Sequence, residues 1–167
     1  GNTSLGGCVN ITSVTWGEGL HEVYVYVNDS VNHIVNDSVT FTIDSVNPSL
    51  SINSPTEGTN TTDMGLDLEY TVSDSNLDSC WYSDNGGGNT SLVGCANITS
   101  VIWGEGLHEV YVYANDTFGN RNSSSVTFTI DTVNPSLSIS SPSEGTNSSD
   151  NTLDVEYIAS DSNLDSC

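Results

Sequence analysis

Asp74, Asn76 and Asp78 occupy the first, third and fifth places of the run DSNLD, and the run recurs with Asp161, Asn163 and Asp165. Oxygen ligands at that spacing open a calcium-binding loop. The match is partial, since Ser79 stands where such loops carry glycine and no glutamate follows at position 12. The plainer reading is an Asx-rich turn between two strands. Cys80 and Cys95 stand 15 residues apart, and closing a loop of that length by a disulfide contributes about 3 kcal/mol. His21 and His108 fall at one repeated position on the inward side of a strand, with no second His or Cys at ligand spacing, so they read as corner residues bonded to backbone. His33 lies in a variable loop. Trp16, Trp81 and Trp103 are either a sugar-stacking platform or, more simply, core aromatics and a cover for the disulfide. There is no Gly-X-Ser-X-Gly elbow, phosphate loop or dinucleotide fingerprint. The expectation is a protein that is not an enzyme and requires no cofactor.

Asn-X-Ser/Thr sequons begin at Asn2, Asn10, Asn28, Asn36, Asn60, Asn89, Asn97, Asn115, Asn122 and Asn147. Ten is about twice what chance placement gives in so Asn-, Ser- and Thr-rich a chain. Together with the cysteines they predict N-linked glycans and an oxidising, extracellular setting. The net charge is −21, with Arg121 as the one Lys or Arg. That excludes a nucleic-acid partner, which needs several cations on one surface. It disfavours anionic membranes, and no run is long enough to insert into one.

These residues recur with a fixed period. Cys8 returns as Cys95, Trp16 as Trp103, Phe41 as Phe128 and Cys80 as Cys167, each 87 residues on. Without a gap, 58 of 80 aligned positions are identical, and the differences concentrate where VNHIVND (31–37) faces FGNRNSS (118–124). Residues 1–44 are then the C-terminal part of a unit, 45–131 a complete unit, and 132–167 the N-terminal part of the next. The chain reads as a window on a longer repetitive polymer, either one long chain or subunits that complete one another.

Within the complete unit the apolar residues alternate. Strands are expected at 49–53, 66–73, 79–84, 89–92, 97–103, 108–115 and 124–131, with a Gly-rich hairpin after the third. His108, Val110, Val112 and Ala114 share one face, as do Val126, Phe128 and Ile130. Seven short strands with closely spaced turns predict an all-β fold of tandem immunoglobulin-like β-sandwich repeats of 87 residues. So small a core gives the Cys80–Cys95 staple weight. Cys8 and Cys167 have no partner at that spacing, so each is expected to bond within a domain shared with a neighbouring copy or segment. The linker SVNP (45–48) lacks glycine, and Pro48 restricts both itself and Asn47, which predicts a stiff, extended connection. Asp44 and Asp131 stand at these junctions.

The runs NPSLSINSPTEGT, LEYTVSDSNLDSCWYSDNGG, GEGLHEVYVYANDTFGN and SSSVTFTID resemble the tandem Ig-like repeats of prokaryotic, especially archaeal, cell-surface proteins, over essentially the whole chain. The resemblance implies extracellular rods, stalks, adhesins or filaments, often glycosylated. The expected role is the repeating shaft of a surface filament, with other copies or segments of the same protein as its partners. The alternatives are an adhesin module with specificity in the loops at 31–37 and 118–124, or an accessory domain of a secreted enzyme. If subunits are separate, the first strand of one completes the next by strand addition.

Overall fold

The computed structural model describes residues 3–167. Two hairpin-like fragments flank a closed body. The first fragment is β1 (Gly19–Asn28) with β2 (Ile34–Ile43). The body holds β3 (Ser49–Ser54), β4 (Thr59–Thr61), β5 (Glu69–Ser73), β6 (Leu77–Asp84), β7 (Thr90–Leu92), β8 (Gly106–Asp116) and β9 (Arg121–Ile130). The last fragment is β10 (Ser136–Ser141) with β11 (Glu156–Ser160). The fold is all-β; its only helical turns among the described residues are short 3-10 turns at Gly6–Cys8 and Val93–Cys95.

In the body, β3 and β5 pair antiparallel, and the pairing extends beyond β5 through mutual bonds between Leu68 and Ile98. The facing sheet has the order β4-β9-β8-β6-β7, antiparallel except for the parallel β4–β9 pair. Alternation explains the core. On β8, His108, Val110, Val112 and Ala114 are buried, while Glu109 is exposed and Tyr111 and Tyr113 are half-buried on the outer face. Leu68, Tyr70 and Ile98 come from the smaller sheet and Val110, Val112, Val126, Phe128 and Ile130 from the larger, with Trp103 completing one cluster. Every buried residue among those described lies between Pro48 and Ile130.

Three elements depart from the sequence reading. The expected strand at 66–73 begins only at Glu69. Ahead of it the chain turns at Met64–Gly65, and its groups are taken singly: Trp103 donates its amide to Met64 O and its indole NH to Leu66 O. The expected strand at 97–103 shrinks to the bridge at Ile98, because Ser100 adopts φ 64° and breaks the extended run. The polar run Thr59–Thr61 pairs with Phe128–Ile130 although it carries no apolar alternation.

The flanking fragments keep the pairings of the body. Gly19 faces Ile43 and Phe41 faces His21, just as Gly106 faces Ile130 and Phe128 faces His108. The register shift between Ile52 and Ser54 returns between Ile139 and Ser141.

Candidate functional site

The residues able to do chemistry gather where the flanking strand pairs join the closed body. At the first junction Asp44 follows β2 and stands before the loops of the body. Asn76 donates its side-chain amide to Asp44 Oδ2 at 2.6 Å, and Asp74 Oδ1 accepts the Asn76 backbone NH at 2.7 Å. Asn120 donates to the Asp44 carbonyl at 3.1 Å, and Asn122 to the Pro48 carbonyl at 2.9 Å. From behind, Glu18 accepts the Ser45 backbone NH at 3.0 Å and the Ser45 hydroxyl. The linker is thus held from both sides. The second junction repeats the pattern. Asn163 donates to Asp131 Oδ2 at 2.7 Å and its NH to Asp161 Oδ1 at 2.8 Å, while Glu105 accepts from the Thr132 NH and hydroxyl.

Asp44, Asp74 and Asp116 bring carboxylate oxygens within 4.8 Å of one another. Three such oxygens suit a hard cation such as calcium. This trio differs from the DSNLD set. Asp74 and Asn76 belong to the junction, but Asp78 turns to Asn115, whose amide reaches its Oδ2 at 3.5 Å. On a strand, residues two apart share a face, but Leu77 already begins β6, so Asp78 leaves the loop. At the second junction Asp161 and Asn163 meet Asp131, and Asp165 is exposed.

Asp116 escaped the sequence reading. It is buried, and its Oδ1 accepts the NH groups of Phe118 and Asn120 while its Oδ2 accepts the Asn120 side chain at 2.7 Å. Burial pushes its carboxyl up, but the Asn120 side chain and the backbone NH groups of Asn120, Phe118 and Gly119 outweigh that and hold it below the ordinary carboxylate value. In the first fragment Asp29 takes this place and His33 stands for Asn120, its NH bonding Asp29 Oδ1 and its Nδ1 2.9 Å from Oδ2. Hydrogen bonds from His33 lower the Asp29 carboxyl as well. The recurrence of Asp29 and Asp116 at the repeat period was the available signal; their burial depends on distant chain and was not.

A disulfide joins Cys80 on β6 to Cys95, with their Cα atoms 5.1 Å apart. It staples the β6–β7 edge, where Cys80 faces Leu92. Cys8 and Cys167 carry exposed thiols. Of the sequons, Asn10, Asn28, Asn36, Asn60, Asn89, Asn97, Asn122 and Asn147 are exposed. Asn115 is half-buried, its carbonyl accepting the Ser79 hydroxyl, and Asn122 spends its amide on Pro48. Asn2 lies outside the described residues.

The aromatic residues divide. Trp103 is buried, edge-on to Phe128 at 5.1 Å and to His108 at 5.4 Å. His108 places Nδ1 2.7 Å from Asp84 and Nε2 2.9 Å from the Gly104 carbonyl, tying β6 to the turn before β8. Trp16, His21 and Phe41 repeat this cluster, with His21 Nε2 2.7 Å from the Gly17 carbonyl. Trp81 lies on the outer face, stacked on Tyr113 at 5.5 Å and beneath Arg121. No protein-family model and no curated protein matches the chain. No helix among the described residues is long and apolar enough to cross a membrane.

Proposed function

We propose that the chain is part of the repeating shaft of a glycosylated extracellular filament or giant surface protein, built from tandem Ig-like units of 87 residues that bear load in series. The observation that carries this reading is the two-sided grip on each linker. Glu18 and Asn76 hold Asp44–Ser45 as Glu105 and Asn163 hold Asp131–Thr132. A linker so held transmits direction from unit to unit, which is what a stiff rod needs and a flexible tether lacks. The strand order supports the Ig-like reading: a small sheet extended by the Leu68–Ile98 bridge faces a larger one whose edge strand β4 runs parallel to β9. The disulfide and the exposed sequons support an extracellular, glycosylated setting. The turn at 117–120 supports the shaft over an adhesin, because Asn120 is engaged with Asp44.

Stretching a single molecule tests it. The complete unit should unfold as one event, and reducing Cys80–Cys95 should lengthen that event by about 50 Å, the reach of the 15 residues it locks. Extension without a discrete event would remove the shaft reading. A divalent cation at Asp44, Asp74 and Asp116 belongs to this proposal as a stiffener of the joint. Chelation at fixed ionic strength should then lower the melting temperature; an unchanged temperature would dismiss the cation and leave the amide-held joint.

A further inference from the structure

We propose that the outward face of the larger sheet at Trp81, Tyr113 and Arg121 is the seat of a glycan that the chain itself carries, N-linked to Asn115, with its first pyranose ring packed on the aromatic rings beside the Arg121 guanidinium. This deepens the reading of a glycosylated surface protein by naming the sequon and the surface its sugar occupies, and it rests on that reading for its setting.

Strand register puts the attachment point and the rings on one face. Opposed residues of neighbouring strands point to the same side of a sheet, and so do residues two apart on one strand. Ser79, Asn115 and Arg121 form one such row across β6, β8 and β9; Trp81, Tyr113 and Ser123 form the next. The rows lie about 7 Å apart. This face turns away from the core: Val112 and Ala114 are buried, whereas Tyr113 and Asn115 between and beyond them are half-buried.

Asn115 can take the sugar at little cost. Its amide reaches Asp78 Oδ2 at 3.5 Å and the Asp116 carbonyl at 3.4 Å, both at the limit of a hydrogen bond, and its bond with the Ser79 hydroxyl is made through the side-chain carbonyl. Asn122 differs. It lies opposite the buried Ala114, on the other side of the sheet, and commits its amide to the Pro48 carbonyl at 2.9 Å. Attachment draws on a sugar donor activated as an anomeric phosphate ester and on a separate transferase. The Asn115 amide nitrogen bonds the anomeric carbon, the carbon–oxygen bond to phosphate breaks, the phosphate leaves with the bonding pair, and the amide gives up one proton. The carbonyl, and with it the Ser79 bond, is left in place.

The surroundings suit a sugar. Trp81 and Tyr113 lie 9° from parallel with centroids 5.5 Å apart, and each keeps part of its ring in solvent. A pyranose ring presents an apolar face of C–H bonds, whose partial positive charge complements the negative face of an aromatic ring. Arg121 lies 5.7 Å over the Trp81 ring. It is the one Lys or Arg of the chain beside 22 Asp and Glu, yet it forms no ion pair among the described residues. Its N–H donors are left for the sugar's oxygens. The order Tyr113, Asn115, Asp116, Thr117 recurs in the sequence as Tyr26, Asn28, Asp29, Ser30. A tethered sugar needs little intrinsic affinity, because its linkage keeps it at high effective concentration beside the rings. It meets them only when the sheet is folded, so the contact stabilises the body.

The chain secreted from a host that attaches N-acetylglucosamine-linked glycans, trimmed to the single N-acetylglucosamine, supplies the test. Glycopeptide mass spectrometry should find Asn115 occupied. Thr117→Ala removes the sequon and keeps Asn115; it should lower the melting temperature by about 5 °C, and Thr117→Ser, which restores the sequon, should recover it. In chain from a non-glycosylating host, Thr117→Ala should change nothing. Nor should it in Tyr113→Thr, where the sugar has lost its ring. The ring protons of the Asn115-linked sugar should be shifted upfield by the aromatic ring current in the parent and not in Tyr113→Thr. An equal fall in the unglycosylated chain, or an unshifted sugar in the parent, would overturn the inference. A bare Asn115 beside occupied Asn60 or Asn89 would overturn it alone; if every sequon is bare, the glycosylated reading falls with it.

Discussion

Asp116 shows how one side chain serves two levels of the molecule. It is buried, it organises the turn from Phe118 to Asn120, and through Asn120 it reaches the Asp44 carbonyl. Its carboxyl loses its proton more readily in the folded chain than in the unfolded one, where the ordinary value is about 3.9. As pH falls past that value the unfolded chain takes up the proton first. The stability due to Asp116 is therefore complete above about pH 4 and is lost as pH falls through the lowered folded value. Asp116→Asn should lower the melting temperature at neutral pH by about 5 °C. It should also flatten the acid limb of a melting-temperature profile relative to the parent chain. An acid limb of unchanged steepness would show that other carboxylates carry the dependence. Asp78 is the converse case: its spacing from Asp74 suits a metal loop, yet β6 has already begun and turns it to Asn115.

At the scale of elements, the alternating strands were the legible part. β8 and β9 extend only a few residues beyond the runs expected from their apolar faces. β4 was hidden because its pairing with β9 uses backbone groups and leaves no apolar signature in Thr59–Thr61. The stretch 97–103 misled because Ile98, Val101 and Trp103 face the core from a broken path rather than from one strand. The restriction that Pro48 places on the first linker was legible, but the hydrogen bonds that hold that linker were not, since they join residues as distant as Asn120 and Asp44. Replacing Asn76 and Asn120 together by alanine removes the forward hold on Asp44. Small-angle scattering should then show a broader spread of end-to-end distances with the closed body unchanged. An unaltered distribution would mean that Glu18 and Pro48 suffice.

For the whole molecule, residues that recur 87 apart in the sequence also recur in their strand pairing. Residues 45–131 hold both sheets of one body, and the flanking fragments hold one side each. The segment Gly19–Tyr26 and the segment Gly106–Tyr113 are identical in sequence, GLHEVYVY, and pair in the same register. Their propensities are equal, so a difference between them reports their surroundings: β8 is covered and also pairs with β6 along Tyr111–Tyr113, whereas β1 pairs with β2 alone among the described residues. Hydrogen exchange on the dilute, reduced chain measures that difference. The amides of Tyr111–Tyr113 should exchange at least about a thousand-fold more slowly than those of Tyr24–Tyr26. Equal protection of the two segments in dilute solution would contradict the account, because β1 paired with β2 alone would then be as well protected as the covered β8.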